Sequence, residues 1–217
     1  MVPDQSIRSG WIVDPFAITR YDRSDADLQA LLVFCCCVAN KTAAVMAPKV
    51  NSFLSGRGDL SPFQWIALLI ETGRLRPAME EAKLGNYALR EKGFRYLLSD
   101  AGPCLRTASA EDLERVPGIG PKTARFFIVH SREGARHAVI DTHMLKFLRD
   151  AGHDAIPDGS SPPNKDYARM EQLVLDHVEQ SGLSTADFDL RVWTWYAGGN
   201  RSAPPSQLLA RSSKVSI

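Results

Sequence analysis

Residues 109–148 read SAEDLERVPGIGPKTARFFIVHSREGARHAVIDTHMLKFL. Ser109, with Asp112 three residues on, is a helix-start signal close to a capping box. Leu113 and Val116 give the short helix after it an apolar side. In Val116-Pro117-Gly118-Ile119-Gly120-Pro121, two glycines bracket one apolar residue. That pattern makes a tight turn whose backbone can approach a neighbour closely. Pro121 suits the first position of a second helix. Ala124, Phe127, Ile128 and, less regularly, Val129 supply its apolar side. The stretch therefore predicts helix, glycine hairpin, helix. Unpaired N–H groups and the positive dipole end at the start of the second helix suit a phosphate. Asp141 comes 19 positions after Lys122, in Val139-Ile140-Asp141-Thr142-His143. A short apolar run breaks at that carboxylate, and a new helix is expected to begin there.

The chain has 217 residues, which favours one compact unit or two closely packed lobes. A hydrophobic fraction of 44% can fill a sizeable core. The formal net charge is +1, so no overall basic field announces a nucleic-acid partner, and any DNA-binding surface must be local. Three of the four cysteines are consecutive, Cys35 to Cys37, inside an apolar run. They read as buried small hydrophobes, not as a disulfide framework. The sequence holds no Cys-x-x-Cys pair, which argues against a structural zinc. No run is long or apolar enough to span a membrane, and no secretory signal is visible. The expected setting is intracellular and reducing, cytoplasm or nucleoid, with no membrane partner.

Taken in order, residues 1–24 read as irregular, with Trp11, Ile12 and Phe16 packing onto a neighbouring lobe. A helix is expected from Asp25, capped by Ser24, with Leu28, Leu31, Leu32, Cys35 and Cys36 forming a buried stripe. A second runs from about Thr42 to Leu54, bent or started at Pro48. Ser61-Pro62 opens a third, which Gly73 stops. Residues 76–101 hold more helix, with Arg90, Lys92 and Arg95 along its polar side, read as a solvated face or as DNA contacts. After a loop at 153–164, helices are expected over Tyr167 to Gln180 and Phe188 to Tyr196. The tail from Asn200 is polar and Ser-rich, and reads as loosely ordered. No strand alternation and no internal repeat stand out, so the fold class is all-α.

The hairpin, Lys122, the spacing and Asp141 together resemble the helix-hairpin-helix (HhH-GPD) DNA glycosylase superfamily. In that superfamily a Lys placed as Lys122 is the nucleophile of bifunctional glycosylase/lyases, and an Asp placed as Asp141 is the essential carboxylate. The iron–sulfur loop of the endonuclease-three branch is absent. Further stretches are similar to the archaeal-type 8-oxoguanine DNA glycosylase/lyase family. These are Phe34 to Lys41 (FCCCVANK), the basic-aromatic Lys92 to Tyr96, and the closing string Leu183 to Trp193. The resemblance covers most of residues 28–198. It implies a two-lobed glycosylase domain over 1–200, with the N- and C-terminal helices packed together. Residues of about 42–132 form the other lobe, carrying the hairpin at 109–132, and 201–217 is a polar tail. In that family the chain ends just past the closing helix, and a C-terminal Lys helps recognise the damaged base; here the chain continues to Ile217.

The resemblance also implies a chemistry. The expected enzyme is a DNA N-glycosylase and AP lyase of base excision repair. It would act as a monomer on double-stranded DNA with an oxidised base, 8-oxoguanine leading. Cleaving an N-glycosidic bond builds positive charge on the sugar, which a carboxylate at Asp141 would stabilise. A lysine amine can attack C1′ and form a Schiff base. A free lysine titrates near 10.4, so a nucleophilic Lys122 calls for desolvation or a proton acceptor. The other readings are a helix-start Lys122 touching a phosphate and an Asp141 that only caps its helix. His143 reads as structural. Gly118 and Gly120 would hold a DNA phosphate. Asn40 would fill the gap left by a flipped base or simply form a turn, and Trp193 would stack on the base or lie in the core. No cofactor is expected, beyond a monovalent cation that the superfamily's hairpin carbonyls accommodate. The rival functions are a superfamily enzyme acting on another modified base, base hypermodification included, and a non-catalytic module that only grips DNA.

Overall fold

The computed structural model describes residues 10–38, 41–159, 162, 164–204, 206 and 208–210. The fold is all-α: the described residues form helices, turns and loops, with no strand among them. The chain divides into two compact units, Met1–Phe127 and Ile128–Ile217.

In the first unit a 3-10 turn at Pro15–Ala17 precedes α1 (Asp25–Val38), α2 (Ala43–Ser55), α3 (Pro62–Glu71), α4 (Leu75–Glu81), α5 (Tyr87–Leu97) and α6 (Ala110–Glu114). Helix α7 (Pro121–Ser131) begins in this unit and ends in the second. Ser24 Oγ accepts from the Asp27 backbone N–H, which starts α1 as expected. Leu28, Leu31, Leu32 and Cys35 are buried, and so are Ala30, Val33, Phe34 and Cys37, so α1 is apolar nearly all round and forms the unit's central helix. Helices α2 and α3 pack against it. Pro48 sits inside α2, neither starting nor ending it, although it has no N–H to give to the ladder. Helix α3 opens on a full capping box between Ser61 and Gln64, with Pro62 at its first position.

Two expectations change here, at Phe16 and at Arg90. Phe16 is exposed; Val13 and Ile18 are the buried apolar residues of this segment, and a side chain of α2 also fixes it. Asn51 on α2 accepts from the Ile12 and Val13 N–H groups and donates to the Val13 carbonyl at 2.9 Å. Residues 76–101 hold helix as expected, in two pieces. Lys83, Gly85 and Asn86 all take positive φ, which separates α4 from α5. Arg90 does not lie on a solvated face. It is buried, and its guanidinium donates to the carbonyls of Leu84 at 2.6 Å and Cys37 at 2.8 Å. Arg95 pairs with Glu91 one turn away, and Lys92 is exposed.

The second unit holds the end of α7, then α8 (Thr142–Asp150), α9 (Asn164–Ser181) and α10 (Thr185–Ala197). Its core gathers Ile140, Met144, Leu145, Leu148, Met170, Val174, Phe188 and Val192. All three helices present an i, i+3/i+4 apolar side to it. Ser184 Oγ accepts from the Asp187 N–H and starts α10. The described part of the tail is not loose. Arg191 donates to the carbonyls of Leu208 and Ala210, Trp195 Nε1 donates to the Ser202 carbonyl at 2.8 Å, and Leu209 packs on the core. No helix among the described residues is long and apolar enough to cross a membrane.

Candidate active site

The hairpin is built from local rules. Ser109 Oγ accepts from the Asp112 N–H at 3.1 Å, and the Asp112 carboxylate accepts from the Ser109 N–H at 3.1 Å, a complete capping box at the start of α6. The Ile119 N–H donates back to the Val116 carbonyl at 2.9 Å and turns the chain. Gly118 sits at φ +93°, where a side chain would be strained. Ile119 is buried, while Gly118 and Gly120 are exposed on either side of it. The turn is thus anchored by its one apolar residue and presents its glycine backbone outward. Arg125 on α7 pairs with Glu114 on α6 and fixes the two arms of the hairpin to each other.

A close approach holds the hairpin from below. A Cβ on Gly93 of α5 would lie 2.5 Å from the Pro117 carbonyl oxygen. Gly93 is therefore the contact point through which α5 supports the turn, a role that the basic-aromatic reading of residues 92–96 did not contain. Lys122 is the second residue of α7 and half-buried. Its charge reaches the Cys35 thiol on α1. Burial pushes that thiol up to about 12, and Lys122 is the largest influence in the opposite direction. Lys122 thus sits at a helix start.

In the second unit Asp141 is the N-cap of α8, and its Oδ1 accepts from the His143 and Met144 N–H groups, both at 2.9 Å. The run before it is pinned to α9. Tyr167 Oη accepts from the Ile140 N–H at 3.0 Å and donates to the Ala138 carbonyl at 2.9 Å, and Glu171 accepts from the Ala138 N–H at 3.0 Å. The carboxylate at 141 is consequently oriented by its own helix and positioned by the neighbouring one. The capping role is observed; it leaves a catalytic role open, since both use the same ionised group.

His143 stacks on Tyr196 with ring centroids 6.3 Å apart and meets Trp193 edge-on at 6.2 Å. Trp193 is 39% exposed, so it is not a core residue, whereas Trp195 is half-buried against the core. Sequence reading missed a polar pair deep in this unit. His130 is fully buried, with Nε2 3.2 Å from Asp189 Oδ2. The two residues are 59 positions apart, so no local spacing announces the pair. Asn40 lies outside the described residues. Among the described residues no group of three or more His, Cys, Asp or Glu could hold a metal ion.

Two comparisons bear on this geometry. The helix-hairpin-helix motif model matches residues 105–125, the span that holds α6, the glycine turn and Lys122. The 8-oxoguanine DNA glycosylase of Thermotoga maritima is similar in structure over 83% of this chain and 84% of its own, with 24% identity and a TM-score of 0.59. The chain therefore carries a helix-hairpin-helix motif on a backbone fold shared with a DNA glycosylase.

Proposed function

We propose that the protein is a bifunctional DNA glycosylase/AP lyase that removes an oxidised base, 8-oxoguanine in the first instance, from double-stranded DNA. One observation carries the proposal. A lysine occupies the second position of the helix that leaves a glycine hairpin, on a fold shared with an 8-oxoguanine DNA glycosylase.

The target nucleotide must leave the stack, since its C1′ is inaccessible within a duplex. The outward backbone of Gly118 and Gly120, with the N-terminal dipole of α7, supplies a phosphate grip next to the lysine. In the chemical step the neutral Lys122 amine donates its lone pair to C1′. The C1′–N9 bond breaks, its electrons go to the base, and the base departs after taking up a proton. Loss of the amine proton and opening of the sugar give a Schiff base. That iminium acidifies C2′–H. Removal of the C2′ proton forms the C1′=C2′ enamine; its electrons then form C2′=C3′ and restore the iminium as the C3′–O bond breaks and the 3′ phosphate leaves with the bonding pair. The Asp141 carboxylate is proposed to stabilise positive charge on the sugar, and its fixed cap geometry means it need not reorganise as that charge develops. Trp193, exposed and edge-on to His143, offers an aromatic face for the extruded base, worth roughly 1–3 kcal/mol of stacking.

The test is a panel of duplexes, each with one lesion, assayed separately for base release and for strand cleavage at a preformed abasic site. The proposal expects both activities, with 8-oxoguanine among the released bases. Abasic cleavage without release of any oxidised purine would replace the substrate and leave the lyase. Absence of both would return the chain to a DNA-gripping module.

A further inference from the structure

The strongest feature outside the proposed active site is a pair of histidines at the far end of α8. His153 Nε2 and His177 Nε2 lie 2.8 Å apart, with the rings nearly perpendicular at 85° and centroids 5.1 Å apart. Neither imidazole is on a loose segment. His153 follows Gly152, whose φ is +87°, and its N–H returns to the Leu148 carbonyl at 3.1 Å, the closing bond of a Schellman turn. His177 lies within the 18-residue helix α9, and its ring meets the buried Phe147 edge-on at 5.0 Å.

Two imidazole nitrogens at this distance cannot both carry a hydrogen, so one donates and the other accepts. Loss of that shared hydrogen frees an in-plane lone pair on each of two half-buried nitrogens, and rotation of the rings turns both toward one ion. We propose that His153 and His177 form a two-imidazole chelate for a borderline divalent transition metal, Cu(II), Ni(II) or Zn(II), with water completing the coordination. Metal–nitrogen bonds of about 2.0–2.1 Å at a tetrahedral angle put two nitrogens about 3.3 Å apart. The pair must therefore open by only about half an ångström, which side-chain rotation supplies. The shared hydrogen leaves as a proton when the metal enters. Two protein ligands predict a modest affinity in the order Cu(II) above Ni(II) and Zn(II).

The consequence is mechanical. Asp141 caps the start of α8 and His153 closes its end. A metal at the pair would staple that end to α9 and stabilise the second unit by mass action. The site does not depend on the proposed glycosylase chemistry.

The experiment is metal titration of the full-length, chelator-treated protein by calorimetry with CuCl2, NiCl2 and ZnCl2, alongside thermal unfolding with and without metal. Wild type should bind one equivalent and unfold at a higher temperature with metal. His153→Gln and His177→Gln should each weaken binding at least about tenfold and abolish the metal-induced stabilisation, while His143→Gln behaves as wild type. Imidazole NMR of unmodified wild type guards against variants that misfold: substoichiometric Ni(II) should shift or broaden two histidine spin systems selectively. Binding that survives both substitutions in folded protein, or paramagnetic effects spread evenly over the histidines, overturns the proposal, as does no binding at all.

Discussion

At Asp141 one carboxylate caps α8 and is proposed to stabilise charge on the sugar, and substitution separates the two. Asn caps a helix as well as Asp does, so Asp141→Asn should leave thermal stability within a few tenths of a kcal/mol while lowering base excision by orders of magnitude. Asp141→Ala should lose both, with a stability cost of about 1 kcal/mol for the missing cap. Equal loss of stability and excision in the Asn variant would make the residue structural. The cysteines separate in the same way. Burial pushes the Cys35 thiol up to about 12 and the Cys37 thiol to about 11, and holds Cys36 well above its ordinary value. Cys104 is exposed and is lowered, first by the Thr107 hydroxyl and then by the Arg106 and Thr107 N–H groups. Iodoacetamide at neutral pH should therefore modify Cys104 alone in the folded protein, and all four thiols after denaturation. The burial of Cys35 was legible in the sequence as part of the stripe of α1, whereas Cys36, expected on that stripe, is only half-buried and Cys37 is buried in its place. The fate of Arg90 was not. Its acceptors, the carbonyls of Leu84 and Cys37, lie 6 and 53 residues away, and no local pattern announces a guanidinium that caps distant backbone.

At the scale of elements, the hairpin was readable because each part of it is a local rule. Ser109 and Asp112 cap, Gly118 supplies a positive φ, and Pro121 starts a helix. Helix α10 and the helix from Asp25 were readable for the same reason, from Ser184 and Ser24. The support beneath the hairpin was hidden, since a glycine inside a helix looks only like a weak point. Gly93→Ala would drive a Cβ to 2.5 Å from the Pro117 carbonyl oxygen, which neither backbone can absorb without moving. It should cost about 1–3 kcal/mol, the usual range for overpacking, and weaken DNA binding more than an alanine elsewhere on α5. Ala88→Gly, on the exposed part of the same helix, should cost about 1 kcal/mol of helix propensity and leave DNA binding unchanged. If Gly93→Ala binds DNA as wild type does, α5 is not what positions the turn. The interruption between α4 and α5 also escaped the sequence, because Lys83 and Asn86 take left-handed backbone that their residue types permit but do not demand.

For the whole molecule, a net charge of +1 requires any DNA affinity to come from a small patch. The log–log salt dependence of binding should have a slope of roughly −2 to −4, the release expected when a few phosphates are neutralised. A slope near zero would leave no electrostatic contact with nucleic acid. The all-α class came from the helical periodicity and the absence of alternation, and the backbone likeness to a glycosylase agrees with the family that the hairpin, Lys122 and Asp141 resemble. The base is legible in neither. It depends on which polar groups face an extruded purine, and the pattern of a sequence carries no such geometry.

The central claim is that Lys122 is the nucleophile, and covalent trapping tests it most directly. Wild type, Lys122→Gln and Asp141→Asn are incubated with an 8-oxoguanine duplex and with a preformed abasic duplex in the presence of borohydride. The account predicts a protein–DNA adduct for wild type on both substrates, none for Lys122→Gln despite retained DNA binding, and digestion of the wild-type adduct to a peptide modified at Lys122. An adduct that forms equally well in Lys122→Gln, or one mapped to another residue, would contradict it.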